Sequence, residues 1–262
     1  MSRVFIIGAG PGDPELLTVR AHNLLVRAEV VLHDDLVPEA ILALAPRIAR
    51  VINVGKRCGP KLLTQGDINR LMVEYALQER MVVRLKGGDP AMFAHAAEEY
   101  AALQEAQIEF EVVPGITAAF AAAAAARMSL TDRKHSSTVI FTTAHRSTEL
   151  GSIDWPKLVQ PQSTLVIYMP GRDYTALTRE LHAAGLSPHT PCAVVSNAGR
   201  AEQKILWSRS GLLAGMNSLP SPALLIIGMC AGNTIRELNI IGLNGRHEET
   251  RTPDLYRVKV AL

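Results

Sequence analysis

The sequence predicts an α/β protein of two domains, each with a sheet covered by helices. Three observations lead to this fold class. Short apolar runs alternate with segments whose apolar residues recur at helical spacing, glycine-rich turns follow two of these runs, and a Pro-Gly pair at 114–115 separates the two halves. Strands that alternate with helices in this way are typical of a mostly parallel sheet. The chain has 262 residues, which is enough for one large or two ordinary domains.

The first half contains five short apolar runs that we predict to be strands, because their length suits a buried sheet. They occupy residues 4–7, 30–32, 51–54, 82–85 and 110–113. Helical spacing between them predicts helices over 16–28, 38–45, 68–75 and 90–104. Thr64 and Asp67 resemble a capping arrangement before the third helix, and Asp89 with Pro90 suits the start of the fourth.

The second half restarts with an alanine-rich helix over 116–126. Further strands are predicted at 138–142, 164–169, 192–195, 205–207 and 224–227. The spacings after residue 164 are compatible with shorter connections and some antiparallel pairing. The predicted domains are therefore 1–114 and 115–241. Residues 246–259 hold seven charges and almost no apolar periodicity, so we expect 242–262 to form a poorly ordered tail.

The composition excludes several classes of function. Lys and Arg number 27 against 25 Asp and Glu, and this net charge of +2 gives no reason to expect a nucleic-acid partner. The alanine-rich apolar stretch at 115–126 is shorter than the roughly 20 residues that span a bilayer. A glycine-rich turn interrupts the N-terminal apolar run, so no signal peptide is predicted. We expect a soluble cytoplasmic protein with no membrane partner.

The sequence predicts no metal site. Its three cysteines are scattered without a CxxC pair, which fits a reducing cytosol and gives neither a zinc site nor a disulfide framework. His95 and His145 each lack a second ligand at metal spacing. We interpret both histidines as ordinary polar residues.

Two glycine-rich turns carry most of the functional information. They read GAGPGDPE at 8–15 and KGGDP at 86–90, and each follows a predicted strand. Glycines let the backbone approach a ligand without a clash from Cβ. Open α/β sheets bind small molecules at the carboxyl ends of their strands. Two such turns, each ending in Asp-Pro, therefore predict a pair of loops that face one ligand.

A dinucleotide-binding site is the first alternative for the N-terminal turn. That fingerprint is GxGxxG with an acid about 20 residues later, and Asp34 lies at a suitable distance. Asp13, however, stands where the third glycine belongs, and Pro11 removes a backbone N–H where a pyrophosphate needs donors. The sequence thus disfavours a dehydrogenase. A tight turn without any ligand is the other alternative, which the second glycine-rich turn makes less favourable.

Asp34 and Lys56 follow the second and third predicted strands. Residues of this kind are ordinarily a solvated turn carboxylate and a surface lysine. Both nevertheless lie on the rim that carries the glycine-rich turns, where an acid and a base can exchange protons with a substrate. The residues alone leave both interpretations open. Met169, at the end of an apolar run, is a core methionine by default.

Taken together, the motifs resemble one family. They are GAGPGD at 8–13, VGKR at 54–57, RLKGGDP at 84–90, VVPGITA at 112–118, LTDR at 130–133, DW at 154–155 and SPALLIIG at 221–228. In this order they are similar to the uroporphyrinogen-III C-methyltransferases, which belong to the tetrapyrrole methylases. The resemblance covers about residues 3–230. The KGGDP motif indicates the broad superfamily. The VGKR, LTDR and DW segments narrow the resemblance to the uroporphyrinogen-III C-methyltransferases.

The resemblance implies two α/β domains of the tetrapyrrole methylase type, with S-adenosylmethionine in the interdomain cleft and no metal. It implies a homodimer that methylates C2 and then C7 of uroporphyrinogen III, giving precorrin-2 by way of precorrin-1, on the way to sirohaem, cobalamin or haem d1. Two alternatives stay open: a methylase of another precorrin, and a catalytically weak S-adenosylmethionine-binding protein.

The resemblance also implies roles for single residues. The family's proposed proton acceptor falls on Asp34, and its proposed proton donor falls on Lys56. The implied cofactor contacts are Pro11, Gly87, Gly88, Asp89, Met92, Thr117, Ala118, Met169 and Ala198.

The chain departs from the family pattern on the substrate side. The family's Tyr-Asp-Arg-Leu reads HDDL at 33–36, so Asp35 replaces an arginine. The family's Phe-Gly-Arg-Gly-Gly-Glu-Glu reads FAHAAEE at 93–99, so His95 replaces another. The tetrapyrrole is rich in carboxylates, which arginine recognises well, so these changes are expected to weaken or reshape substrate binding.

Overall fold

The computed structural model describes residues 4–55, 63–78, 80–144, 152–232 and 249–251. The chain divides into two compact units, residues 1–118 and 119–262. Each unit combines one sheet with helices, which confirms the predicted α/β class. The sequence analysis sets the boundary slightly earlier, after residue 114.

Unit 1 contains a five-stranded sheet in the order β3-β2-β4-β1-β5, and every pair in it is parallel. Its strands are β1 Val4–Gly8, β2 Val30–His33, β3 Arg50–Asn53, β4 Val82–Lys86 and β5 Phe110–Val113. Its helices are α1 Val19–Leu25, α2 Glu39–Leu42, α3 Gln65–Leu77 and α4 Ala96–Glu105, with a 3₁₀ turn at Pro14–Leu16.

The three central strands of this sheet, β1, β2 and β4, are buried on both faces, whereas the edge strands β3 and β5 are partly exposed. Along β1, Val4 and Ile6 pack into one hydrophobic cluster, while Phe5 and Ile7 pack into another. Successive side chains of a strand point to opposite faces, so one apolar strand supplies both clusters. A sheet buried on both sides requires continuous apolar runs rather than alternation. This is why the central strands of the first half are readable in the sequence.

All five strands of unit 1 run in the same direction, so their carboxyl ends lie at one edge of the sheet. The segments that leave this edge begin after Gly8, His33, Asn53, Lys86 and Val113. Each glycine-rich turn and the Asp34 turn therefore start at the same edge.

The helix starts differ in how well the sequence predicts them. Thr64 and Asp67 form the predicted capping box of α3, with the Thr64 hydroxyl accepting from the Asp67 amide and the Asp67 carboxylate accepting from the Thr64 amide. The helix predicted from residue 90 is wrong at its start, because α4 begins only at Ala96. Phe93 and His95 have φ values of 52° and 54°, which a right-handed helix does not permit.

The six-stranded sheet of unit 2 has the order β11-β9-β8-β10-β7-β6. Its strands are β6 Thr138–Thr143, β7 Ser163–Tyr168, β8 Pro191–Ser196, β9 Lys204–Arg209, β10 Ala223–Ile227 and β11 Glu249–Arg251. Its helices are α5 Ala118–Ala125, which begins at the last residue of unit 1, α6 Trp155–Leu158 and α7 Thr175–Ala183. The predicted antiparallel pairing is confirmed for β7–β10, β10–β8, β8–β9 and β9–β11.

The predicted tail is partly described. Glu249–Arg251 pairs with β9 in an antiparallel ladder, whereas the sequence analysis expects this segment to be poorly ordered. The other residues of 242–262 lie outside the described part of the chain. Within that described part, no helix combines the length and apolar character needed to cross a bilayer.

Candidate active site

The two glycine-rich turns lie side by side. Gly10 donates to the Gly88 carbonyl oxygen at 3.1 Å, and Gly88 donates back to the Gly10 carbonyl oxygen at 2.8 Å. The Ala9 amide donates to the Lys86 carbonyl oxygen at 2.7 Å. The two turns thus stay paired beyond the edge of the sheet, through an isolated antiparallel bridge that follows the parallel β1–β4 ladder. The structure brings together the two loops that the sequence analysis expects to face one ligand.

Two glycines, Gly8 and Gly115, make this packing possible. A Cβ built on Gly115 would lie 2.3 Å from the Gly88 carbonyl oxygen, and one on Gly8 would lie 2.6 Å from the Gly115 amide nitrogen. The obstructing atoms are backbone atoms, which cannot rotate away as a side chain can. The turn after β5 therefore packs directly against both glycine-rich turns.

Asp89 fixes this arrangement through both carboxylate oxygens. Its Oδ1 accepts from the Ala91 amide at 2.8 Å, and its Oδ2 accepts from the Gly115 amide at 3.0 Å. The sequence analysis interprets Asp89 as a helix cap, and this is wrong because a loop separates it from α4. The carboxylate instead joins the turn after β4 to the turn after β5.

We predict that Gly115→Ala destabilises unit 1 by about 1–3 kcal/mol, because the added methyl group overlaps fixed backbone atoms. Gly66→Ala is the matched control. It adds the same methyl group in α3, where the nearest atom is 3.7 Å away, and is expected to stabilise the helix by roughly 0.5–1 kcal/mol. Denaturant unfolding measures both changes. Equal effects of the two variants would contradict the tight packing at Gly115.

One position in the loops faces open space. Among the described residues, a Cβ on Gly88 would meet no atom within 4 Å, although Gly88 has a left-handed φ of +71°. The neighbouring Gly87 has no such space, because a Cβ built on it would lie 2.9 Å from the Leu36 Cβ. Gly88 thus presents bare backbone to free space at the edge where α/β sheets bind ligands. A small molecule can therefore approach the main chain here.

Asp34 follows β2 at the same edge. Its Oδ1 accepts from Nη2 of Arg84 at 2.5 Å, and its carbonyl oxygen contacts Nδ1 of His33 at 3.0 Å. The Asp34 side chain is 30% exposed, whereas that of Arg84 is 2% exposed. The carboxylate therefore faces solvent on one side and a buried cation on the other. Lys56, its predicted partner, lies outside the described residues.

The cation that holds Asp34 is not predicted from the sequence. Arg84 donates Nε to Oε1 of Glu99 at 2.9 Å, and Lys86 donates Nζ to both Glu99 oxygens at 2.7 and 2.8 Å. All three side chains are buried. The signal available in the sequence is a pair of charges inside the apolar run of β4, which an interior strand tolerates only when they are paired.

The electrostatics of this cluster are strongly coupled. Burial alone would lower the pKa of the Arg84 guanidinium, but the charges of Asp34 and Glu99 raise it above its ordinary value. Burial is the largest cause that lowers the pKa of the Lys86 amine, and repulsion from Arg84 lowers it further. Two carboxylates and two cations share one site, so their formal charges cancel. Removing any one of them leaves an unbalanced charge in low dielectric.

The other predicted contacts in unit 1 lie on the same three turns. Pro11 and Thr117 are buried, Met92 is half-buried, and Ala118 begins α5. Pro11 belongs to the turn after β1, Met92 follows Asp89, and Thr117 follows the turn after β5.

Met169 and Ala198 belong to unit 2 and lie at one edge of its sheet. Met169 follows β7 and Ala198 follows β8, and both strands are antiparallel to β10 between them. Their ends are thus separated by one strand, or about 10 Å. Met169 is 45% exposed with a left-handed φ of 50°, so it is not the core methionine that the pattern suggests by default.

The two departures from the family pattern have identifiable contacts. Asp35 accepts from Nδ2 of Asn53 at 3.0 Å, and a Cβ on Gly55 would overlap its carboxylate. His95 has Nδ1 3.0 Å from Oε1 of Glu98, and both side chains are exposed. The described part of the chain holds no group of three or more His, Cys, Asp or Glu side chains placed to hold a metal ion.

Comparisons with known proteins point to one family. Residues 3–213 match the model of the Tetrapyrrole (Corrin/Porphyrin) Methylases. The chain is 43% identical over 228 residues to a siroheme synthase of Hahella chejuensis, an alignment that covers 86% of this chain and 49% of the relative. A siroheme synthase of Pseudoalteromonas translucida is 41% identical over 231 residues, 87% of this chain and 49% of the relative. The chain spans about half the length of these curated relatives.

Solved structures give the same result. A uroporphyrin-III C-methyltransferase from Thermus thermophilus, complexed with S-adenyl homocysteine, is similar with a TM-score of 0.76 and 35% identity. That similarity covers 87% of this chain and 92% of the Thermus chain. A cobalt precorrin-4 methyltransferase is similar with the same TM-score and 31% identity, over 87% of this chain and 95% of its own.

Proposed function

The chain belongs to the tetrapyrrole (corrin/porphyrin) methylases, and from this membership we propose that it transfers methyl groups from S-adenosylmethionine to C2 and C7 of uroporphyrinogen III. The product is precorrin-2, formed by way of precorrin-1. The Thermus relative named for this chemistry, and its complex with S-adenyl homocysteine, support the proposal. A homodimer in the cytoplasm is part of the same proposal.

One observation carries the proposal: the paired Gly10 and Gly88 turns leave open space at Gly88 on the edge of the unit 1 sheet. A methionine or adenosine group can reach the backbone there because no side chain intervenes. We propose that Gly87, Gly88 and Asp89 hold the donor. The other proposed contacts are Pro11, Met92, Thr117, Ala118, Met169 and Ala198.

The bound donor supplies an electrophilic methyl group on a sulfonium sulfur. The substrate carbon is an electron-rich carbon of a reduced pyrrole, so methyl transfer needs alignment and the exclusion of water more than covalent help from the protein. A proton must leave the substrate after the new carbon–carbon bond has formed. Asp34 is the proposed acceptor, since its carboxylate is partly exposed at the same edge as the turns. Lys56 is the proposed proton donor.

A methylase of another precorrin is the second candidate. The cobalt precorrin-4 methyltransferase matches this chain as well as the Thermus enzyme does by TM-score. Asp35 and His95 replace arginines of the family pattern. These replacements also favour a substrate-binding surface that differs from the family's. The two candidates share the donor and differ in which tetrapyrrole is methylated.

We predict that the protein, S-adenosylmethionine and uroporphyrinogen III together yield a dimethylated tetrapyrrole, because one donor site serves both transfers. Mass spectrometry counts the added methyl groups, and red fluorescence follows the oxidised products. The control omits the donor. Donor binding without transfer to uroporphyrinogen III, but with transfer to a methylated precorrin, supports the second candidate. Donor binding without transfer to any tetrapyrrole favours a binding protein instead.

A further inference from the structure

Each of the three nitrogens of the Arg84 guanidinium donates a hydrogen bond. The group donates to the carboxylates of Asp34 and Glu99 and to the carbonyl oxygens of Leu32 and Leu85, at 3.2 and 3.4 Å for the carbonyls. Leu32 belongs to β2, the strand that leads into Asp34. These contacts fix the guanidinium itself, so the single nitrogen that binds Oδ1 of Asp34 is held in one place, which a flexible amine would not achieve.

Glu99 and Lys86 fix Arg84 from the opposite side. Both Glu99 oxygens accept from the Lys86 amine, and one of them also accepts from Arg84. Gln65 on α3 adds a longer contact of 3.4 Å to the same oxygen. Glu99 has no exposed surface, so water cannot replace these partners. The cluster therefore has one arrangement that satisfies its charges.

The same strand connects the acid to the donor loop. β4 carries Arg84 and Lys86 and then continues directly into Gly87 and Gly88. Because β4 is paired with β1 on one side and β2 on the other, its position fixes both the glycine turns and the Asp34 turn. Because Arg84 is anchored on this strand, it fixes the position of the Asp34 carboxylate relative to the proposed methyl-donor site.

We propose that Arg84 is a positioning residue that aims the Asp34 carboxylate at the substrate carbon, and that Glu99 and Lys86 hold Arg84 in that orientation. This inference rests on the proposed role of Asp34. Arg84 acts through Asp34 and does not itself contact the reacting atoms. A buried ion pair that only supports the fold would affect stability and leave turnover by the folded enzyme unchanged.

The test is a double-mutant cycle on kcat with Arg84→Lys and Asp34→Asn. Lysine keeps the buried charge but reaches one partner at a time, so Arg84→Lys is expected to lower kcat about tenfold in the native background. In the Asp34→Asn background the same change is expected to alter kcat by less than about twofold, because residues that act as a unit are not additive. Donor affinity, measured by calorimetry, stays within about twofold throughout.

Arg20→Lys is the matched control. Arg20 forms a bidentate pair with Glu111 at 2.9 and 2.6 Å on the surface of unit 1, and we expect its replacement to leave kcat unchanged. Equal losses of kcat from Arg84→Lys in the two backgrounds, or no loss in either, overturn the proposal. If Arg84→Lys does not fold, Glu99→Gln takes its place in the cycle with the same expectations. If neither variant folds, the proposal is overturned, because the cluster then serves only to stabilise the fold.

The wild-type reaction separates this inference from the proposed function. Absence of methyl transfer by the unmodified protein contradicts the proposed function. If the wild type transfers methyl groups but the Arg84 and Asp34 substitutions have additive effects on kcat, only the positioning role of Arg84 is contradicted.

Discussion

Replacing Gly88 by leucine is expected to abolish S-adenosylmethionine binding, with the Kd rising more than about a hundredfold, or roughly 2.7 kcal/mol. A Cβ at this position points into space that holds no atom of another described residue within 4 Å, its two chain neighbours aside. A leucine side chain fills that space, which the proposed donor needs, and blocks access to the backbone of both turns. Isothermal titration calorimetry with the donor measures the loss directly.

The backbone conformation of Gly88 demands a careful control. Its φ of +71° costs a leucine about 1–2 kcal/mol whether or not a ligand binds there. Gly185→Leu carries a comparable penalty, since Gly185 has a φ of +97° and also faces open space, but it lies beyond α7 in unit 2. We expect Gly185→Leu to lower stability and preserve donor affinity. Unchanged affinity in folded Gly88→Leu would remove the second turn from the site.

The sequence predicts the fold well where a strand is buried on both faces. β1 is a continuous apolar run because its side chains enter two separate cores. The close packing of the glycine turns is also foreseeable in kind, since a repeated glycine-rich motif after a strand indicates a close approach. Their direct hydrogen bonding is not foreseeable, because it depends on the order of strands in the sheet.

Local backbone strain limits what the sequence reveals about α4. Spacing and an Asp-Pro pair predict a helix from residue 90, but Phe93 and His95 adopt left-handed conformations that delay it to Ala96. No propensity rule assigns such conformations to a phenylalanine. The Gly115 amide donates to the Asp89 carboxylate, so the start of this segment is also tied to a residue distant in sequence, a contact that local propensity does not encode.

The buried charge cluster shows a second limit. Arg84 and Lys86 interrupt an apolar strand, and this pattern alone implies that buried anions accompany them. Their partner Glu99 lies on a different element, and the sequence offers Glu98 beside it as an equal choice. Only the helix face decides, because Glu99 is buried whereas Glu98 is exposed. Likewise, only the structure identifies Asp34, rather than the adjacent Asp35, as the second carboxylate bonded to Arg84.

Asp34→Asn is expected to lower kcat by about 10²–10⁴-fold while leaving donor affinity unchanged, because the amide cannot accept the proton that the substrate must lose. The fold is expected to persist with reduced stability, because Arg84 keeps its bond to Glu99 but loses the anionic partner that helps to balance the cluster. Glu111→Gln is the matched control: it also removes a carboxylate paired with an arginine, and the two carboxylate side chains are similarly exposed, at 30% and 35%. Steady-state turnover and calorimetry on both variants measure the two effects. Full activity of Asp34→Asn would show that another group accepts the proton, whereas loss of donor affinity would show that Asp34 contributes to binding.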